Sequence, residues 1–308
     1  MIVVLTGGTG GAKLIEGLAT EIDPAVLTII CNTGDDCVLH GLHISPDIDT
    51  VTYTLAGLID DAKGWGIKGD TFTTLEQLGR LGADTWFQLG DKDLATHLTR
   101  TRLLSEGPSL SQVTERLCKA LGVKATILPM SDDRVETRIA TPTGEISFQE
   151  YFVKRRWADE VSGVTYAGAE QSRPAPGVLE AIRAARAIIV CPSNPITSIG
   201  PILAVPGIRW ALKETGATVV GVSPIIGKSA ISGPAHKLMV AGSWEASAYG
   251  VAKCYADFLD SFLISKEDRN REASIKNLGV EAIAADIRMS SIADKRRLAR
   301  EVLALVEK

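Results

Sequence analysis

An apolar run, Ile2-Val3-Val4-Leu5, goes straight into Thr6-Gly7-Gly8-Thr9-Gly10-Gly11-Ala12-Lys13. This junction limits the possible folds more than any other feature of the chain. A short β-branched run reads as a strand buried on both faces. Four glycines within five residues then let the backbone turn tightly and enter a helix at once. Strands of that kind belong to parallel sheets covered on both sides by helices. The same junction is a phosphate cradle, because glycine lets backbone N–H groups approach an anion where a helix dipole adds positive potential. It is not a P-loop, since Ala12 replaces the glycine before the lysine and Leu14 replaces the Ser or Thr that would bind magnesium. Nor is it the dinucleotide fingerprint, whose third glycine would fall at Lys13.

Further buried-strand patterns occur at Leu27–Cys31, Lys124–Leu128, Ala187–Cys191 and Thr218–Val222. Helical patterns are expected at Lys13–Thr20, Ser109–Leu121, Ile208–Glu214 and Ile292–Val306, the second with a capping box from Ser109 to Gln112. The alternation predicts an α/β fold, a Rossmann-like and mostly parallel sheet with helices on both faces. One stretch departs from it. Val135–Ala140, a Thr141–Gly144 turn and Glu145–Phe148 read as a hairpin, so residues 131–180 are expected to form a smaller lobe or sheet extension. No repeat or low-complexity linker divides residues 1–308, which are read as one unit with insertions.

The formal net charge of −4 gives no basic excess for nucleic acid. Five cysteines, an odd number with no C-x-x-C spacing, argue against a disulfide framework or a zinc site and fit a reducing cytoplasm. The start lacks a basic region and a cleavage site, so no signal peptide is expected, and no apolar run has transmembrane length.

Several polar segments follow the expected strands. Cys31-Asn32-Thr33-Gly34-Asp35-Asp36 ends the second, with Asn32 where a dinucleotide fold would place an acid. In His43-Ile44-Ser45-Pro46-Asp47-Ile48-Asp49-Thr50, the carboxylates of Asp47 and Asp49 suit either a hydrated magnesium ion or a helix start. Gly90-Asp91-Lys92-Asp93 precedes a helix through Ala95, Leu98 and Arg102. Pro192 to Pro201 offers Ser193, Asn194, Thr197 and Ser198 for phosphate or ribose contacts. Ser223 to Lys228 supplies a hydroxyl and a cation. Loops at the carboxyl ends of parallel strands converge on one edge of the sheet, where a large phosphate-bearing ligand would sit.

In this order the segments resemble the 2-phospho-L-lactate transferase family of deazaflavin coenzyme F420 biosynthesis. Ser45-Pro46-Asp47-Ile48-Asp49-Thr50 and Pro192-Ser193-Asn194-Pro195-Ile196-Thr197-Ser198-Ile199-Gly200-Pro201 are the most specific. The resemblance implies a Rossmann-like core, a homodimer and dependence on Mg2+. It implies a guanosine diphosphate-linked three-carbon acid as donor, 7,8-didemethyl-8-hydroxy-5-deazariboflavin as acceptor, and GMP as a product. Asp49 and Lys92 are then expected at the deazaflavin, with lysine where arginine is often found. Gly7, Gly8, Thr9, Gly10, Gly11, Lys13, Asn32, Ser193, Asn194, Thr197, Ser198, Ser223 and Lys228 are expected at the donor. Asp47 and Asp49 are expected to carry the metal and the catalytic role. A rival reading is a related regulatory group, with the same glycine-loop start, that binds nucleotide sugars or dinucleotides in cell-wall control.

Overall fold

The computed structural model of the chain describes residues 1–227, 229, 230 and 233–306. Seven strands form one all-parallel sheet: β1 (Ile2–Thr6), β2 (Leu27–Cys31), β3 (Thr126–Pro129), β4 (Ala187–Val190), β5 (Thr218–Val222), β6 (Ser261–Ser265) and β7 (Glu281–Ala285). Their spatial order is β7-β6-β5-β4-β1-β2-β3, so chain direction across the sheet reverses between β1 and β4. All five expected strands are present. β6 and β7 are additions to that expectation.

The strands are continuously apolar because both faces are covered. In β1, Ile2 and Val4 enter one core with Ile29, Ile189 and Leu18. Val3 and Leu5 enter the other with Ile30, Ile188 and Ile202. Alternate side chains on a strand point to opposite faces, so one apolar run supplies both layers.

Five helices matter for the site. They are α1 (Gly8–Glu21), α2 (Pro46–Leu55), α3 (Asp91–Ser105), α4 (Leu110–Ala120) and α5 (Ile292–Val306). The Ser109–Gln112 capping box at the start of α4 is formed as expected. At Gly17, a Cβ would lie 2.3 Å from Lys295 O, so glycine allows α1 to pack closely against α5. Residues 136–167 contain a three-stranded antiparallel sheet of Glu136–Thr141, Gly144–Ser147 and Gly163–Ala167. A π-helical turn at Glu150–Lys154 follows the hairpin. Ile139, Phe148 and Tyr151 of this insertion join the same core as Val3 and Leu5.

Candidate active site

The direction reversal places the loops after β1 and β4 side by side, the position where open parallel sheets bind ligands. Gly7 N–H donates to Ser193 Oγ at 3.3 Å, and Ser193 Oγ–H donates to Gly7 O at 2.7 Å. A third segment joins them from α2. Pro46 at its first position suits a helix start, and Asp47 then accepts a hydrogen bond from Gly8 N–H at 2.7 Å. Asn32, fully buried, ties the junction together. Its Nδ2 donates to Asp47 Oδ2 at 2.9 Å and to Thr197 O at 3.1 Å, while its Oδ1 accepts from Gly34 N–H at 2.8 Å.

The glycines serve this crowding as well as an anion. A Cβ on Gly7 would lie 2.7 Å from both Asp47 Oδ2 and Ser198 Cβ, and one on Gly10 would lie 2.6 Å from Pro192 O. Gly8 has φ +68°, which glycine adopts without strain. The first N–H groups of α1 have no intrahelical partner. Asp47 takes that of Gly8, and Thr9 and Gly10 line the cavity beside it.

The cavity measures about 400 Å³. Part of the lining is polar: Gly7, Gly8, Thr9 and Gly10, Ser193, Asn194, Thr197 and Ser198, and the carboxylates Asp35 and Asp47. Trp65, Phe87, Phe148, Phe152 and Val153 add an apolar contribution, and Asp49, Tyr53, Asp93 and His97 also line it. Phe152 stacks on Phe148 at 5.3 Å between centroids and on Trp157 at 5.2 Å.

Burial raises the carboxyls of Asp35, Asp36 and Asp47. Asp47 is pushed up to about 6 by its loss of water, although Asn32 and Gly8 N–H pull the other way. Asp35 lies well above the usual carboxylate range through burial and the charges of Asp47 and Asp36. Its Oδ1 is buried without a partner. Asp36 is also raised by burial, though it accepts from Ser45 Oγ at 2.6 Å and lies 3.1 Å from His43 Nε2.

Asp49 has a different environment. Arg100, fully buried on α3, grips both its oxygens, with Nη1 at 3.0 Å from Oδ2 and Nη2 on Oδ1. The chain of contacts continues through His97 to Asp93, whose Oδ1 accepts from Tyr53 O–H at 2.6 Å.

The expected donor residues Gly7 to Gly10, Ser193, Asn194, Thr197 and Ser198 therefore share one cavity with Asp47 and Asp49. Others lie apart from the lining. Asn32 braces the loops from behind. Gly11 packs against Thr6 and Ser193. Lys13 is half-buried on α1 beyond the cavity. Ser223 is buried in its own turn, bonded to Ile225 O at 2.9 Å, and Pro224 lines the cavity instead. Lys92 is exposed and its Nζ donates to the carbonyls of Lys68 and Gly69, which anchors the loop that carries Trp65. Lys228 lies outside the described residues. Asp35, Tyr53, Asp93, His97 and the aromatic wall were not among the expected site residues. The i, i+4 pairs Asp49/Tyr53 and Asp93/His97 were a readable signal for part of that set.

Comparison with known proteins bears on this geometry. A family model described as 2-phospho-L-lactate transferase CofD matches residues 2–303. The chain belongs to the 2-phospho-L-lactate transferase CofD family. Among its relatives, a phosphoenolpyruvate transferase of Streptomyces griseus subsp. griseus is 46% identical over 99% of this chain and 98% of its own length. A 2-phospho-L-lactate transferase of Methanosarcina mazei is 43% identical over 98% of this chain and 99% of its own length. The crystal structure of a UPF0052 family protein, BH3568 of Bacillus halodurans, superposes with a TM-score of 0.66 at 19% identity. It covers 98% of each chain and shows the shared fold.

Proposed function

We propose that this CofD family member transfers a phosphorylated three-carbon acid from a guanosine diphosphate-linked donor to the terminal hydroxyl of 7,8-didemethyl-8-hydroxy-5-deazariboflavin, releasing GMP, with Mg2+ required. The observation that carries the reading is a single cavity lined by both phosphate-binding loops and aromatic side chains. The glycine loop and the Ser193–Ser198 loop suit a diphosphate and ribose. The aromatic side chains suit a flat ring, which stacks favourably on them.

The charge of the cavity supports the metal. Among the described residues its lining includes four carboxylates (Asp35, Asp47, Asp49 and Asp93) and neither lysine nor arginine. A polyanionic donor there needs an added cation. No cage of three or more His, Cys, Asp or Glu side chains occurs among the described residues. That agrees with Mg2+, which binds through one or two carboxylates plus substrate phosphates. Asp47 and Asp35 fit as its protein ligands, since Asp35 Oδ1 has no other partner and Asp47 meets only the neutral donors Gly8 N–H and Asn32 Nδ2, whereas the Arg100 cation holds both oxygens of Asp49. Bound there, Mg2+ would neutralise charge on the diphosphate.

The remaining roles follow from the chain itself. Thr9 and Gly10 N–H groups receive the leaving phosphate. Asp49 accepts a hydrogen bond from the ribityl hydroxyl and aims its oxygen at phosphorus. The O–P bond forms as the bond to GMP breaks, and the hydroxyl proton passes to the departing phosphate of GMP. Arg100 holds both oxygens of Asp49 in place, so the contribution of this carboxylate is orientation, which suits a loose phosphoryl-type transition state.

The test is a single-turnover reaction with Mg2+, the deazaflavin alcohol and each of the lactyl, enolpyruvyl and glyceryl donors, followed by mass spectrometry. GMP and the phosphorylated deazaflavin from one donor identify the reaction and its acid. No product from any donor, with tight binding of a nucleotide sugar, supports the regulatory reading instead.

A further inference from the structure

Gln149 lines the cavity and is 7% exposed. Its Nε2 donates to Asp35 O at 3.2 Å. A carbonyl oxygen only accepts, so this bond fixes which way round the amide sits and turns Oε1 away from Asp35 O. Among the described residues nothing donates to Oε1, and it is not enclosed as the unpartnered Asp35 Oδ1 is. Gln149 therefore holds an accessible acceptor at the cavity, and rotating the amide would cost its bond to Asp35. An amide oxygen has no proton to give, so it recognises an O–H or N–H of a ligand.

We infer that Gln149 Oε1 accepts a hydrogen bond from a hydroxyl of the polyol chain of the alcohol acceptor, and so selects a polyhydroxylated chain over a bare alkyl one. The inference rests on the transferase reading above. Position favours the alcohol over the nucleotide. The phosphate loops follow β1 and β4, whereas Gln149 is anchored to the loop after β2. β2 lies on the far side of β1 from β4, two strand spacings or roughly 10 Å across the sheet. Phe148, Phe152 and Val153 line the cavity from the same segment as Gln149. That segment continues into the π-helical turn at Glu150–Lys154, a kind of turn often found at functional sites. With the ring against Phe148 and phosphorus near Asp35, the ribityl chain has to span between them. Gln149 is joined to both, to Phe148 by a peptide bond and to Asp35 by a hydrogen bond.

Calorimetry with two alcohols tests this on the intact chain. One is the deazaflavin alcohol itself. The other carries an ω-hydroxypentyl chain on the same ring nitrogen, which keeps the reacting hydroxyl and lacks the secondary ones. Wild type should bind the ribityl alcohol at least about tenfold more tightly, the equivalent of one hydrogen bond. Gln149→Met, close in volume and without an oxygen acceptor, should cut that preference about tenfold, with the loss falling on the ribityl alcohol. Methionine also gives up the bond to Asp35 O, but damage to that loop would weaken both alcohols alike and leave their ratio unchanged. A ratio that the substitution does not move overturns the inference. So does a wild type indifferent to the secondary hydroxyls, and in both cases turnover of the alcohol leaves the transferase reading standing. Failure of the wild type to bind either alcohol overturns both. Should Gln149→Met not fold, a crystal structure of the wild type with the deazaflavin alcohol decides. A ribityl hydroxyl within about 3 Å of Oε1 is the expected result, and an Oε1 that meets only the ring, the nucleotide or water overturns the inference.

Discussion

At the scale of single residues, Asp47 decides most. Its carboxyl is raised to about 6 mainly by burial, so the native state holds a proton there that the unfolded chain, near 4, releases earlier. Between those values the native state binds more protons, and stability falls as pH rises. Asp47→Asn should flatten the pH dependence of the denaturation midpoint between pH 4 and 6, by on the order of 3 kcal/mol in the limit of an isolated group. The same substitution should lower transfer by about 100-fold or more, on the scale of a lost charge-stabilising group. Mg2+ needs the ionised carboxylate, so the rise in midpoint on adding Mg2+ should be large at pH 8 and vanish at pH 5. Thermal scans with and without Mg2+ check this. Gly7→Ala is a steric counterpart. Its Cβ would meet Asp47 and Ser198, so chemical denaturation should show a loss of about 1–3 kcal/mol together with weaker GDP binding. The doublet Asp47/Asp49 was visible in the sequence both as a candidate magnesium pair and as a helix start, and the structure forms the helix start, with both carboxylates in the first turn of α2. The different environments of the two were not visible, because Arg100 reaches Asp49 from 51 positions away.

At the scale of elements, α2 and α3 are joined by buried polar contacts, Asp49 with Arg100 and Tyr53 with Asp93. Removing one partner of a buried ion pair costs roughly 3–5 kcal/mol, whereas replacing both by apolar groups is often neutral. Arg100→Met should therefore be strongly destabilising, and Asp49→Leu combined with Arg100→Met should recover much of the stability without recovering transfer. Urea denaturation and turnover measured on both variants separate the two effects. This contact also explains what could not be read in advance. The helix expected through Ala95, Leu98 and Arg102 exists, but Leu98 is exposed, and the buried stripe is Leu94, His97, Arg100 and Leu103. Apolar periodicity does not register a buried stripe that contains a histidine and an arginine. Strands β1 to β5 were legible because their runs are short, apolar and rich in β-branched residues. β7, Glu281-Ala282-Ile283-Ala284-Ala285, is alanine-rich and at the sheet edge, and its strand propensity is weak. In Gly90-Asp91-Lys92-Asp93, Asp91 caps the helix Thr73–Arg80 through Thr74 N–H at 2.9 Å, and Asp70 caps α3 through Lys92 N–H at 2.8 Å. Such reciprocal capping depends on a distant partner that local spacing does not reveal.

At the scale of the whole molecule, the strand order brings two loops separated by nearly 190 residues into contact, and the 136–167 insertion closes the cavity with Phe148 and Phe152. The parallel sheet and the insertion were both readable from pattern. The aromatic wall was not, because Trp65, Phe87 and Phe152 come from three segments with no shared motif. Phe152→Ala should weaken the deazaflavin alcohol by about tenfold through lost stacking and burial and leave GDP affinity unchanged, as read by fluorescence titration and calorimetry. The most direct test of a cavity divided between donor and acceptor is a crystal structure with GDP, Mg2+ and the deazaflavin alcohol bound together. The account predicts the diphosphate against Gly8–Gly10 and Ser193–Ser198, the metal between it and Asp35 and Asp47, and the ring against Phe148 and Phe152. A diphosphate or ring seated away from these groups would contradict it.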